Sequence, residues 1–304
     1  MPQNNLRHLL TWTDKEEDIW RRHIDRTVHH YRTKDFWSES GRERSIGLIF
    51  FNSSLRTRTS MELAAEQLGA HSTTLVPGQG TWGFAWEKGK IMDGEEAEHI
   101  QEAVGVLSRY YEALGVRVFA SLSDYEKDKS EKLLNTFVDA ASVPVVNLES
   151  AFYHPCQALG DAGTITTQFD GDVEGKKFVL SWAPHVKALP NAVPQSAVLM
   201  ASRLGMDVTV ARPEGYALDE DVMAQARQYA EDRGQTLEET TNQEAACEDA
   251  DVVYAKAWSG QLVYDDPDRD KEIRERSRGW RISSDLMDRT NDGVFMHCLP
   301  VRRN

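Results

Sequence analysis

The stretch Ser45–Phe51 (SIGLIFF) runs without a break into Asn52-Ser53-Ser54-Leu55-Arg56-Thr57-Arg58. The first part is apolar at almost every position rather than at alternate ones. A strand of that kind is buried on both faces, which is the condition of a strand inside a helix-covered parallel sheet. The second part reads as a helix start, and the spacing predicts a helix over Arg56–Leu68 closed by Gly69. A buried strand feeding directly into a helix is the repeating unit of an α/β fold.

Outward from this point the same unit recurs. Strands are expected at His71–Val76, Gly115–Ala120 (GVRVFA) and Val143–Leu148 (VPVVNL), with helices at Glu98–Ala113 and Glu131–Ala140. A second series follows: strands at Lys176–Ala183, Asp207–Ala211, Asp251–Ala255 and Gly293–Cys298, with helices at Ala192–Leu204, ended by Gly205, and Asp219–Asp232. The expected fold class is therefore α/β, with two doubly wound parallel-sheet domains. Their division is expected near the helix that follows His154, giving domains 1–155 and 156–304.

Bulk composition narrows the function. The chain has 304 residues, 40% hydrophobic and 28% charged, which suits a globular protein. There is no run of about 18 apolar residues to span a membrane. The opening segment mixes charge throughout and lacks the apolar core of a signal peptide. Three scattered cysteines do not make a disulfide framework, and a cytoplasmic setting is expected. The net charge is −14. Such a surface repels nucleic acid and anionic lipid, and neither is expected as a partner. An anionic small molecule would need cations gathered locally.

Ligands of open α/β sheets bind where strands end, and cations are found there. After the first strand come hydroxyls and the arginines Arg56 and Arg58, at a helix N-terminus that favours an anion. Read locally, they fit a capped helix with solvated arginines equally well. Arg117 sits inside an apolar run, a costly place for a charge without a partner or ligand. After Val146-Asn147-Leu148-Glu149 comes His154-Pro155-Cys156-Gln157, where His and Gln lie one helical turn apart and the His can polarise an oxygen or carry a proton. The last strand leads into His297-Cys298-Leu299-Pro300-Val301-Arg302. No second Cys or His stands at ligand spacing, so a metal is not expected. No Gly-x-Gly-x-x-Gly follows an early strand, which argues against a dinucleotide cofactor.

Taken together and in order, Ser54-Leu55-Arg56-Thr57-Arg58, His154-Pro155-Cys156-Gln157 and His297-Cys298-Leu299-Pro300 resemble the aspartate/ornithine carbamoyltransferase family. Trp82, Met92-Asp93-Gly94 and Tyr254-Ala255-Lys256 resemble its N-acylornithine branch. The resemblance implies a two-domain carbamoyltransferase fold and a homotrimer with sites shared between subunits. It implies a transferase of arginine biosynthesis that needs no metal or cofactor. Carbamoyl phosphate is expected on Ser54, Leu55, Arg56, Thr57 and Trp82, the last from a neighbouring subunit, and on Arg117, His154, Pro155, Cys156, Gln157, Cys298 and Leu299. Arg56, Arg117 and His154 are the expected catalytic residues. N-acyl-L-ornithine is expected on Glu149, His185, Lys256, Arg302 and Ala97. The position of Ala97 holds glutamate in the acetyl type and proline in the succinyl type. Alanine removes a carboxylate that would repel a succinyl group, so N-succinyl-L-ornithine is the expected acceptor, with N-acetyl-L-ornithine as the alternative. Members of the family usually continue past the point where this chain stops at Asn304, so a C-terminal helix is expected to be missing. A non-catalytic remnant is the rival expectation.

Overall fold

The computed structural model describes residues 8–301 apart from Phe36, Lys88 and Glu95. The chain forms two compact units. The first contains Met1–Asp14, His30–Ala120 and Glu126–Cys156, and the second Lys15–His29, Ser121–Tyr125 and Gln157–Asn304.

In the first unit, strands β1 (Ser45–Phe50), β2 (His71–Leu75), β5 (Ala113–Arg117) and β6 (Val145–Glu149) form one parallel sheet in the order β2-β1-β5-β6. Leu9 lies alongside β6: its N–H donates to Val145 O at 2.9 Å, and its carbonyl accepts from Asn147 N at 2.8 Å. Ile49, Val116, Val145, Leu114 and Phe137 meet in the core. Two short strands, β3 (Phe84–Ala85) and β4 (Glu98–His99), pair in parallel outside this sheet.

The second unit has a five-stranded parallel sheet of β7 (Lys177–Trp182), β8 (Asp207–Ala211), β9 (Leu237–Thr240), β10 (Val252–Lys256) and β11 (Val294–Met296), in the order β11-β10-β7-β8-β9. The helix Ala192–Arg203 is buried from Ala192 to Ser202. It is covered on all sides and needs no solvent-facing polar stripe; its polar Gln195, Ser196 and Ser202 are buried with the rest.

Parallel sheets in two α/β units are as expected. Several edges differ for physical reasons. The helix expected from Glu98 begins at Ile100 because Glu98 and His99 are taken into β4. Ala113, expected at the end of that helix, opens β5. The strand β9 reads Leu-Glu-Glu-Thr and has no counterpart among the expected strands. It pairs with β8 alone, so it can carry charge.

Behind β10 the backbone turns within van der Waals contact of the loop after β8. A Cβ on Gly260 would stand 1.7 Å from Gly215 O. The same join is pinned by Trp258 Nε1 donating to Tyr216 O at 2.9 Å and Trp182 Nε1 donating to Trp258 O at 3.0 Å. Gly260→Ala is expected to destabilise the protein by about 1–3 kcal/mol through overpacking, lowering Tm by several degrees. Thermal unfolding checks this; an unchanged Tm would contradict the close approach.

Candidate active site

In the first unit the side chains of interest stand where β1, β5 and β6 end. Leaving β1, the chain passes Asn52, whose Oδ1 accepts from Phe119 N at 2.7 Å and so ties the segment after β1 to that after β5. Ser54 Oγ accepts from Thr57 N at 3.2 Å, closing the turn that starts the helix Arg56–Gln67. That helix has no acidic residue in its first turn, so its N-terminal dipole keeps its attraction for an anion. Leu55 and Arg56 are exposed there. Arg58 is engaged along the helix face, with Nε 3.0 Å from Glu62 Oε1.

Arg117 is the last residue of β5 and only 7% exposed. Its Nη1 lies 2.6 Å from Glu149 Oε2 and donates to Thr57 Oγ1 at 3.1 Å. Its guanidinium stacks on Phe119 at 4.4 Å. A register shift between Val116 and Arg117 pairs Arg117 with Glu149, the last residue of β6. Burial pushes the Arg117 pKa down, the Glu149 carboxylate opposes that, and the charge of Arg56 adds to the depression. Arg117 Nε is buried and has no hydrogen-bond acceptor among the described residues. A buried donor without an acceptor costs about 1–3 kcal/mol.

His154 Nε2 stands 3.4 Å from Glu149 Oε2. Burial, with help from the Arg117 charge, pushes its pKa down to about 3. The imidazole is therefore neutral at physiological pH and serves as a hydrogen-bonding group rather than a cation. The segment before it is held by Glu131 Oε1, which accepts from Phe152 N at 2.9 Å. Asn147 Nδ2 donates to Ser150 Oγ at 2.8 Å and to Leu10 O at 2.9 Å. Pro155 opens the helix Pro155–Gln168 and its carbonyl accepts from Trp12 Nε1 at 3.3 Å. The Cys156 thiol donates to Asn147 O at 3.5 Å, and burial pushes its pKa up to about 12. Cys156 is thus a structural thiol, not a nucleophile.

Trp82 and Ala97 belong to the same unit. Trp82 is 58% exposed and its Nε1 donates to Glu98 Oε2 at 2.8 Å. Ala97 lines an open hollow of about 430 Å³ with Met92, Lys90 and His99.

In the second unit, Lys256 ends β10, buried, with Nζ donating to Ala257 O at 2.6 Å. His297 follows β11 with its Nδ1 against Cys298 O. Burial lowers the His297 pKa, the Cys298 carbonyl opposes this, and the charge of Lys256 lowers it further. Cys298 and Leu299 come next, before a cis Leu299–Pro300 bond. His185 follows β7, its Nδ1 3.1 Å from Lys187 N. Its loop is braced by Arg274 Nη1, which donates to Val186 O at 3.1 Å. Gln157 Nε2 donates to Asp161 Oδ1 at 2.9 Å. Arg302 lies outside the described residues.

The structure thus brings Thr57, Arg117, Glu149 and His154 together in one unit, and Lys256 beside His297 in the other. Glu149, expected on the amino-acid substrate, is here the partner of Arg117 and His154. Asn52, Glu131 and Asp161 hold the candidate residues or the segments that carry them, and sequence reasoning misses all three, as it does the contact of Tyr254 with Asp161. Asp161 has one available signal, its position four residues after Gln157 on the same helix face.

Two family models cover most of the chain: the carbamoyl-P binding domain of aspartate/ornithine carbamoyltransferase over residues 7–167, and the Asp/Orn binding domain over residues 188–304. The N-acetylornithine carbamoyltransferase of Xanthomonas campestris pv. campestris is 43% identical over 263 residues, 86% of this chain and 77% of that protein. The N-succinylornithine carbamoyltransferase of Bacteroides thetaiotaomicron is 38% identical over 267 residues, 88% of this chain and 78% of that protein. Among solved structures, a glutamate-to-alanine variant of N-acetyl-L-ornithine transcarbamylase, complexed with carbamyl phosphate and N-succinyl-L-norvaline, superposes with a TM-score of 0.93. It is 40% identical, over 98% of this chain and 90% of that one. With both models matched in order and relatives of this identity along most of its length, the chain belongs to the aspartate/ornithine carbamoyltransferase family, in its N-acylornithine branch of transferases.

Proposed function

We propose that the chain moves the carbamoyl group of carbamoyl phosphate onto the δ-amine of N-succinyl-L-ornithine, giving N-succinyl-L-citrulline and phosphate. The observation that carries the transfer is Arg117: a buried guanidinium, fixed by Glu149 and Thr57, whose Nε finds no acceptor among the described residues. The negative charge that develops on a carbamoyl oxygen is what such a preorganised cation stabilises. Neutral His154 and the Thr57 hydroxyl would share that oxygen. Ser54, the Leu55 N–H, Arg56 and Thr57 would take the phosphate at the helix N-terminus, joined by Trp82 from a neighbouring subunit of a homotrimer. Gln157 and the Cys298 and Leu299 carbonyls would hold the carbamoyl nitrogen, supported by Pro155 and Cys156.

The neutral δ-amine then attacks the carbonyl carbon, the C–N bond forms, and the C–O bond to phosphate breaks. Phosphate leaves with the proton shed by the amine. Orientation and electrostatics supply the acceleration. Lys256, His185 and Arg302 are suited to the acceptor's carboxylates and amide. A cytoplasmic place in arginine biosynthesis fits this chemistry.

The acyl preference rests on Ala97. The solved variant with N-succinyl-L-norvaline also has glutamate replaced by alanine, and a small neutral side chain leaves a succinyl carboxylate unopposed. A second reading, N-acetyl-L-ornithine, is favoured by the higher overall identity, 43% against 38%. We weight the local residue because one charge beside an acyl group outweighs many distant differences.

Initial rates with N-succinyl-, N-acetyl- and free ornithine test both points. The succinyl compound is expected to give the highest kcat/KM and free ornithine negligible turnover. Preference for the acetyl compound would favour the second reading, and preference for free ornithine would overturn the branch-level function. Ala97→Glu is expected to cost about ten-fold or more in kcat/KM with the succinyl acceptor through like-charge repulsion, and less with the acetyl one.

Arg117→Ala is expected to lower kcat by roughly 10²–10³-fold, as for loss of an oxyanion donor. It should also raise the His154 pKa above about 3, because the charge that adds to its depression is gone. NMR titration of the imidazole reads the second effect, and an unmoved His154 would contradict the proximity of the two groups.

A further inference from the structure

One buried carboxylate of the second unit is not used by the mechanism above. Asp161 is 7% exposed, on the face of the helix Pro155–Gln168 one turn past Gln157. Its Oδ1 accepts from Gln157 Nε2 at 2.9 Å and its Oδ2 from the Tyr254 hydroxyl at 3.0 Å. Tyr254 is fully buried in β10, two residues before Lys256. The Cys298 side chain lies near enough to the Tyr254 hydroxyl to act on it electrostatically. One carboxylate thus links Gln157 to Cys298, two residues that the functional proposal assigns to the same nitrogen.

An amide side chain can present either its oxygen or its NH₂ in a given direction, and the two faces are nearly identical in shape. An acceptor-only neighbour decides between them. With its NH₂ given to Asp161, Gln157 is fixed in the orientation that offers Oε1 as an acceptor elsewhere. The nitrogen of a carbamoyl group carries two N–H donors and no strong acceptor, so only that orientation suits it.

The protonation states agree with this arrangement. Burial raises the Asp161 pKa, held back by the bonds from Gln157 and Tyr254, to about 6, so the carboxylate is ionised at neutral pH. Burial pushes Tyr254 well above its usual value, with the neighbouring Asp161 adding to it, so the phenol keeps its proton to donate.

We infer that Asp161 is a positioning residue of the transferase: with Tyr254 as its second donor, it locks the Gln157 amide so that the oxygen meets the carbamoyl N–H groups, and through Tyr254 it steadies Cys298. This rests on the carbamoyl-transfer reading.

The test compares steady-state kinetics of the protein and of the variants Asp161→Asn, Gln157→Glu, the double variant and Tyr254→Phe. Thermal unfolding of each is measured alongside. In Asp161→Asn the new amide keeps the volume and can still accept from Tyr254, but it turns an NH₂ toward Gln157. The Gln157 amide must then reverse and face the carbamoyl nitrogen with a donor. Asp161→Asn is expected to raise KM for carbamoyl phosphate by about ten-fold or more, the scale of a misplaced buried polar group, with KM for the acylornithine unchanged.

In the double variant, the carboxylate introduced at position 157 accepts from the amide introduced at position 161 and offers an acceptor to the carbamoyl nitrogen again, with the charge of the pair conserved. It is expected to recover most of the lost kcat/KM, while Gln157→Glu alone sets two carboxylates face to face and does not. Tyr254→Phe should move the same KM in the same direction by a smaller factor, and it gives the reading if Asp161→Asn does not fold. An active wild type with an unchanged carbamoyl phosphate KM in Asp161→Asn, or a double variant no better than Asp161→Asn, overturns the inference. A wild type that transfers no carbamoyl group overturns the underlying reading instead.

Discussion

A buried guanidinium at the end of a parallel strand is the constraint on which the first unit turns. Taking a charge out of water costs several kcal/mol, and only close partners repay it. Arg117 therefore dictates its surroundings: a carboxylate from the next strand, a hydroxyl from the helix after β1, and the face of Phe119. Removing either member of such a buried pair typically costs about 3–5 kcal/mol, because the other is left uncompensated. Burial keeps His154 neutral, and the same field reinforces it. Its imidazole is buried near the guanidinium, and a second cation would be repelled there. One interaction thus sets the geometry of the groups beside it and adds to the burial that fixes their protonation state.

The second unit follows the same logic with weaker means. Lys256 is buried at the end of β10 and is stabilised by a backbone carbonyl. His297, near it, is held below its ordinary pKa by burial and by that charge. On a chain of net charge −14, cations collected at strand ends are local exceptions to the average field. A long-range approach of an anion to such a surface is unfavourable, while short-range capture at a helix N-terminus and a buried arginine is not. Specificity for an anion can therefore coexist with an acidic exterior.

Much of this is legible in the sequence because the physics is local. SIGLIFF and VPVVNL announce buried parallel strands through their apolar runs, and an arginine inside such a run announces an unusual environment. Matching of the two family models confirms the family that Ser54–Arg58, His154–Gln157 and His297–Pro300 resemble. What is illegible depends on register or on tertiary burial. The bulge that brings Glu149 opposite Arg117 is a property of strand pairing, not of either strand. The strand β9 carries two glutamates and shows no apolar pattern. Asp161 reads as an ordinary polar position on a helix until Tyr254 arrives from a strand 93 residues away.

The proposed transfer forms a carbon–nitrogen bond between the carbamoyl carbon and the δ-nitrogen of an acylated ornithine. A single-turnover reaction of ¹³C-carbamoyl phosphate with acceptor labelled with ¹⁵N at the δ-position, followed by NMR, tests it most directly. One-bond ¹³C–¹⁵N coupling in the product is the result this account predicts. Appearance of the ¹³C label only as bicarbonate, with the ¹⁵N-amine left unchanged, would contradict it.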